Sequence, residues 1–110
     1  MTKGHRIDKK IDIKTFLEII KHYNENQIIT TEHTYFRLDE EERKIFKDSV
    51  LREYLFNKVP ILAGIQYNLN YAVFYGYSKQ KALRIILDIK PDKIKIVTFY
   101  LPDKSEMPRL

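Results

Sequence analysis

Residues 71–101 read YAVFYGYSKQKALRIILDIKPDKIKIVTFYL, and this stretch decides the fold class. It contains three runs that are rich in β-branched and aromatic residues, which is typical of strands. The runs cover residues 71–77, 82–89 and 94–101. Short turn-forming segments separate them, so consecutive strands should pair in opposite directions. With a further apolar run at residues 61–66, the pattern predicts an antiparallel meander of three to four strands.

In the first half of the chain, the apolar residues instead recur with the spacing that is typical of helices. Apolar residues at Ile13, Phe16, Leu17 and Ile20 follow the i, i+3, i+4, i+7 spacing of one buried helical stripe, with Asp12 as the expected N-cap. We also expect a short strand at residues 27–30, a short helix from Thr31 to about Leu38 and a longer helix over residues 39–57. Helices that precede strands predict an α+β fold, with N-terminal helices packed on a small antiparallel sheet.

The length of 110 residues fits one domain. We expect a flexible basic arm at residues 1–11, a single α+β domain at residues 12–104 and a C-terminal tail at residues 105–110. Apolar runs fall short of the ~20 residues that span a membrane, so we expect no membrane association and a cytoplasmic protein. The chain has no cysteine, which excludes disulfides and thiolate sites.

The formal net charge is +5, and the excess is concentrated in two segments. Residues 1–10 carry four Lys or Arg and one Asp, while residues 79–104 carry seven Lys or Arg and three Asp. Such a distribution can attract a polyanion such as RNA or DNA. The alternative interpretation is a lysine-rich surface that only keeps the protein soluble, because surface lysines are common.

Three groups of side chains are candidates for function. His33 and Arg37 are four residues apart on the expected short helix, where they could work on a phosphodiester, or could only cap and pair locally. Tyr71, Tyr75 and Tyr77 could form a base-stacking platform or simply cover the helices. Arg84 lies inside an apolar strand, where a cation is costly unless it is paired, with Asp88 as the candidate partner, or faces a groove. His5, His22 and His33 lack metal-ligand spacing, so we expect neither a metal nor a cofactor.

The run Ile28-Ile29-Thr30-Thr31-Glu32-His33, followed by Arg37-Leu38, resembles the opening of the domain-of-unknown-function family 4258. The ending Ile96-Val97-Thr98-Phe99-Tyr100-Leu101-Pro102-Asp103 is similar to the last strand of that family. The resemblance covers roughly residues 12–104. Members often have a His at the start of the penultimate strand, where this chain has Ala82-Leu83-Arg84.

The architecture of that family is similar to the RelE/ParE toxin superfamily, whose RelE members cut messenger RNA on the ribosome without a metal. The resemblance therefore implies a RelE-like fold with His33, Arg37 and Tyr100 as candidate catalytic residues. To these we add a candidate nucleic-acid-binding set from charge: Arg84, Lys93, Lys95, Lys9 and Lys10. The partners implied are RNA or the ribosome, and an acidic antitoxin-like protein. The alternatives are a non-catalytic protein-interaction module of ParE type and a nucleic-acid binder that does not cleave.

Overall fold

The structure, a computed structural model, describes residues 6–31, 34 and 45–108. Within these residues the strands are β1 (Ile7–Lys10), β2 (Ile28–Thr30), β3 (Leu62–Gln66), β4 (Tyr71–Gly76), β5 (Ala82–Ile89) and β6 (Ile94–Tyr100). The α-helices are α1 (Ile13–Lys21) and α2 (Asp48–Asn57), and short 3₁₀ helices span Glu25–Gln27 and Lys104–Glu106. The predicted α+β class is confirmed. No helix in the described ranges is long and apolar enough to cross a membrane.

The strands form one six-stranded mixed sheet in the order β1-β3-β4-β5-β6-β2. Strands β3 to β6 are the antiparallel meander that the sequence predicts. The prediction of three to four strands is wrong, because β1 and β2 extend the sheet at its two edges. β1 runs antiparallel to β3, whereas β2 runs parallel to β6.

The N-terminal segment differs from the predicted arm. Residues 7–10 form β1, and Ile7 is only 8% exposed. The backbone N–H of Ile11 extends the pairing by donating to the carbonyl of Ala63 at 3.0 Å. An apolar residue at each end of a lysine-rich segment therefore fixes it to the sheet. Residues 1–5 lie outside the described residues.

One face of the sheet carries the main hydrophobic core, and we call it the helix-covered face. Phe16 and Ile20 of α1 and Leu51 and Leu55 of α2 are almost fully buried there. They form one cluster with apolar side chains of the sheet: Ala63, Val73, Tyr75, Leu83, Ile85, Leu87, Ile94, Ile96 and Phe99. Burial of this area provides the main driving force for the fold.

The helix predicted for residues 39–57 is interrupted in the described part, because Ile45 is helical, Phe46 forms a bend and α2 begins at Asp48. Lys47 has extended backbone angles (φ −80°, ψ 164°) and is the N-cap of α2. Just before it, the Phe46 ring is buried, with its centroid 5.1 Å from Phe99 and 5.4 Å from Tyr77. We attribute the break to this packing, which turns the chain toward the sheet. The expected capping pair Asp39 and Glu42 lies outside the described residues.

Candidate functional site

Arg84 and Tyr100 face each other across adjacent strands on the side of the sheet opposite the helices. They are paired in the register of β5 and β6, so their side chains share one face. Phe74 of β4 is the neighbour of Arg84 on its other side, and Leu62 of β3 follows. These four residues form a row across the sheet that we call the Arg84 row.

The guanidinium of Arg84 lies over an aromatic ring. Its Cζ atom is 5.2 Å from the centroid of Phe74, within the range of a cation–π interaction. Arg84 is 8% exposed and Phe74 is 1% exposed. Burial lowers the pKa of Arg84 because it penalises the charged form, while the nearby Tyr100 phenol oxygen acts in the opposite sense. A cation in such apolar surroundings interacts strongly with any anion that reaches it.

An irregularity in β6 brings Tyr100 to this face. The pairs Ile86–Thr98 and Leu87–Ile96 show that one extra residue is inserted into β6, which is a β-bulge. Simple alternation from the buried Ile94 and Ile96 would place Tyr100 on the helix-covered face. Because of the bulge, Phe99 packs in the main core and Tyr100 packs beside Arg84. For the same reason Val97 and Phe99 pack on opposite faces, although unbroken alternation would place them on the same one.

A small apolar cluster surrounds the Arg84 row. Its buried members are Ile7, Ala72, Phe74 and Ile86, and Leu62, Val97, Tyr100 and Met107 pack against it. Sequence reasoning missed Phe74 and Met107. The signal for Phe74 was its phase, because it alternates with the tyrosines of β4 and so must face the other side of the sheet.

Two of the candidate lysines share the face of Arg84. Lys10 is opposite Gly64 in β3, Gly64 pairs with Ala72 in β4, and Ala72 pairs with Ile86 in β5. Ile86 is two residues from Arg84 in the same strand, so Lys10 lies on the face of Arg84. Lys95 is opposite Asp88, about 13 Å along β5 from Arg84 by strand geometry. Asp88 forms its ion pair with Lys90, with 3.4 Å between Oδ2 and Nζ.

The other candidate residues are not brought to this face. Lys9 is opposite Ile65, which pairs with Tyr71 on the helix-covered side. Lys93 lies in the turn before β6. His33 and Arg37 lie outside the described residues.

The tyrosines of β4 belong to the main core, so the base-stacking interpretation is wrong for Tyr71 and Tyr75. Tyr75 is 1% exposed, and Tyr71 packs against the core cluster. The ring of Tyr75 meets the ring of Tyr54 edge-on at 5.3 Å. Tyr77 is 39% exposed, and its ring contacts Phe46.

Compared with known proteins, the chain matches no family model, no curated protein and no solved structure.

Proposed function

We propose that this domain binds RNA across the sheet face that carries the Arg84 row, and that it is a RelE-like endoribonuclease that needs no metal. The observation that carries the proposal is the direct pairing of Arg84 with Tyr100 on that face. It places a fixed cation beside a group that can transfer a proton. The resemblance of the sequence to the RelE-like family supports the same assignment.

In this proposal Arg84 holds the phosphate that is cut. A guanidinium presents several N–H donors in a planar fork that matches two phosphate oxygens. Its apolar surroundings strengthen the attraction, because little water screens the charge. Negative charge increases on the non-bridging phosphate oxygens as the 2′ oxygen attacks the phosphorus, so Arg84 stabilises the transition state more than the ground state.

Tyr100 moves a proton in the same step, and His33 is the other candidate for this role. The ribose 2′ oxygen loses its proton and attacks the adjacent phosphorus, while the departing 5′ oxygen gains a proton. The products are a 2′,3′-cyclic phosphate and a free 5′ hydroxyl. Arg37 would share the phosphate with Arg84. Among the lysines, Lys10 and Lys95 would follow the RNA backbone, because they share the face of the Arg84 row.

Binding is tested with a fluorescently labelled oligouridylate and its anisotropy. Arg84→Met should weaken binding about tenfold or more, because it removes a charge-assisted contact. Lys14→Met is the matched control, since it removes one positive charge from an exposed residue of α1 and should have little effect. Equal affinity of Arg84→Met and the unaltered chain, or affinity that does not fall with salt, would contradict RNA binding at this site.

Cleavage is tested separately, on gels, with EDTA present and with or without ribosomes. Tyr100→Phe should retain RNA binding and lower the cleavage rate by about 10²-fold, which is the usual effect of losing one proton-transfer group. Binding without any cleavage by the unaltered chain would favour the alternative of a non-cleaving nucleic-acid binder. Absence of RNA binding would favour the protein-interaction alternative.

A further inference from the structure

The exposure of Arg84 poses a problem for the proposed function. A guanidinium that binds phosphate must be reached by solvent-borne RNA, yet Arg84 is only 8% exposed. Something on this face therefore has to move before a phosphate can reach Arg84. The segment that follows β6 is the candidate for this movement.

Residues 102–108, which we call the C-terminal strap, turn back toward the face of the Arg84 row. The carbonyl of Pro102 accepts a hydrogen bond from the N–H of Ala82 at 3.0 Å, beside the start of β5. A 3₁₀ helix at Lys104–Glu106 follows. Met107 then packs against the apolar cluster that contains Phe74, the residue under the Arg84 guanidinium.

The strap is attached near the start of β5 by polar contacts. The Nζ atom of Lys81 lies 2.7 Å from Oδ1 of Asp103, and this ion pair is about half exposed. The N–H of Lys104 donates to the carbonyl of Gln80 at 2.8 Å. Within the strap, the N–H of Asp103 donates to Oε1 of Glu106 at 3.0 Å. Exposed ion pairs contribute little stability, so the attachment can be released at low cost.

We propose that the C-terminal strap is a releasable cover of the Arg84 row, held closed by the Lys81–Asp103 ion pair, and that its displacement admits RNA to Arg84. The inference rests on the proposed function, because RNA is the ligand that the cover excludes. In the closed state, with the strap in place, the Met107 side chain covers the apolar cluster. RNA binding and strap closure then compete for the same face.

The test compares four variants in the oligouridylate binding assay. Lys81→Gln and Asp103→Asn each break the ion pair, and both should tighten binding about two- to fivefold, the range expected for loss of an exposed pair. The controls are Lys79→Gln and Asp92→Asn, which make the same charge changes at exposed turn residues. Lys81→Gln is the sharpest variant, because loss of a positive charge would otherwise weaken the binding of RNA.

A second readout does not depend on RNA. Oxidation of Met107 by dilute peroxide, followed by peptide mass spectrometry, should be faster in Asp103→Asn than in Asp92→Asn, because the open strap exposes the thioether. Unchanged oxidation, or binding by Lys81→Gln that is no tighter than by Lys79→Gln, would overturn the strap while leaving Arg84-dependent RNA binding intact. Failure of every variant to bind RNA would overturn both the gating and the proposed function.

Discussion

Arg84 combines a feature that the sequence reveals with one that it conceals. A lone arginine inside the apolar run 82–89 is conspicuous, because burying a cation is expensive, and this made it a candidate from the sequence. Its aromatic neighbour Phe74 lies ten positions earlier in the chain. The two residues become neighbours only through the register of β4 and β5, and not through any local spacing. The residue type could be predicted, whereas its surroundings depend on strand pairing.

Tyr75 provides a test of the core at the scale of one atom. Its hydroxyl is buried and has no hydrogen-bond partner among the residues that the structure describes, and burial raises the pKa of this phenol well above its ordinary value. Removing the oxygen in Tyr75→Phe should stabilise the protein at pH 7 by about 1 kcal/mol, because an unsatisfied buried polar atom is lost. Urea unfolding measures this, and destabilisation by the substitution would contradict the assignment.

The same residue predicts the direction of a pH dependence. Above about pH 10 an unfolded tyrosine loses its proton, whereas folded Tyr75 keeps it, so the unfolded state binds fewer protons and stability falls as pH rises. Tyr75→Phe should therefore lose less stability between pH 7 and pH 10.5 than the unaltered chain. Tyr77→Phe, at a partly exposed position, is the matched control.

At the scale of elements, the bulge in β6 marks the limit of sequence reasoning. Periodicity identified β6 as a strand with nearly correct ends, but it assumes unbroken alternation. One inserted residue reverses the direction of every later side chain in the strand. The pairing of Tyr100 with Arg84 therefore depends on the β-bulge, which no local pattern in residues 94–101 predicts.

The two edge strands illustrate a second limit. β1 and β2 have four and three residues, which is too short for a reliable period. Residues 27–30 were predicted to be a strand, and β2 covers Ile28–Thr30, but its parallel pairing with β6 is a long-range contact. Both edges also carry features that discourage further pairing: a register shift with Lys9 and Lys10 in β1, and side chains of α2 beside β2.

The contact between α2 and β2 predicts a stability effect. A guanidinium nitrogen of Arg52 donates to the carbonyl of Ile28 at 2.9 Å. Arg52→Met should lower the free energy of unfolding by about 1–2 kcal/mol, because it removes the donor from this partly buried carbonyl. Glu53→Gln, at the next and exposed position of the same helix, should change it by less than about 0.5 kcal/mol. Chemical denaturation compares the two, and equal effects would contradict the role of Arg52.

For the whole molecule, composition and the order of periods were sufficient to predict the α+β class and the meander of β3 to β6. The number of strands and the parallel edge were not predictable, because they depend on contacts between distant parts of the chain. The positions of the basic residues show the same difference between what the sequence predicts and what the sheet register decides. The basic segments were evident in the sequence, but the sheet register separates Lys10 and Lys95, on the face of Arg84, from Lys9.

The central claim, that RNA lies on the face of the Arg84 row, can be tested by lysine footprinting. The protein is treated with an amine-reactive label, with and without a saturating oligouridylate, and modification of each lysine is quantified by mass spectrometry. We expect RNA to protect Lys10 and Lys95, and to leave the exposed Lys14 and Lys21 of α1 as reactive as before. Protection of the α1 lysines with unchanged reactivity of Lys10 and Lys95 would contradict the claim.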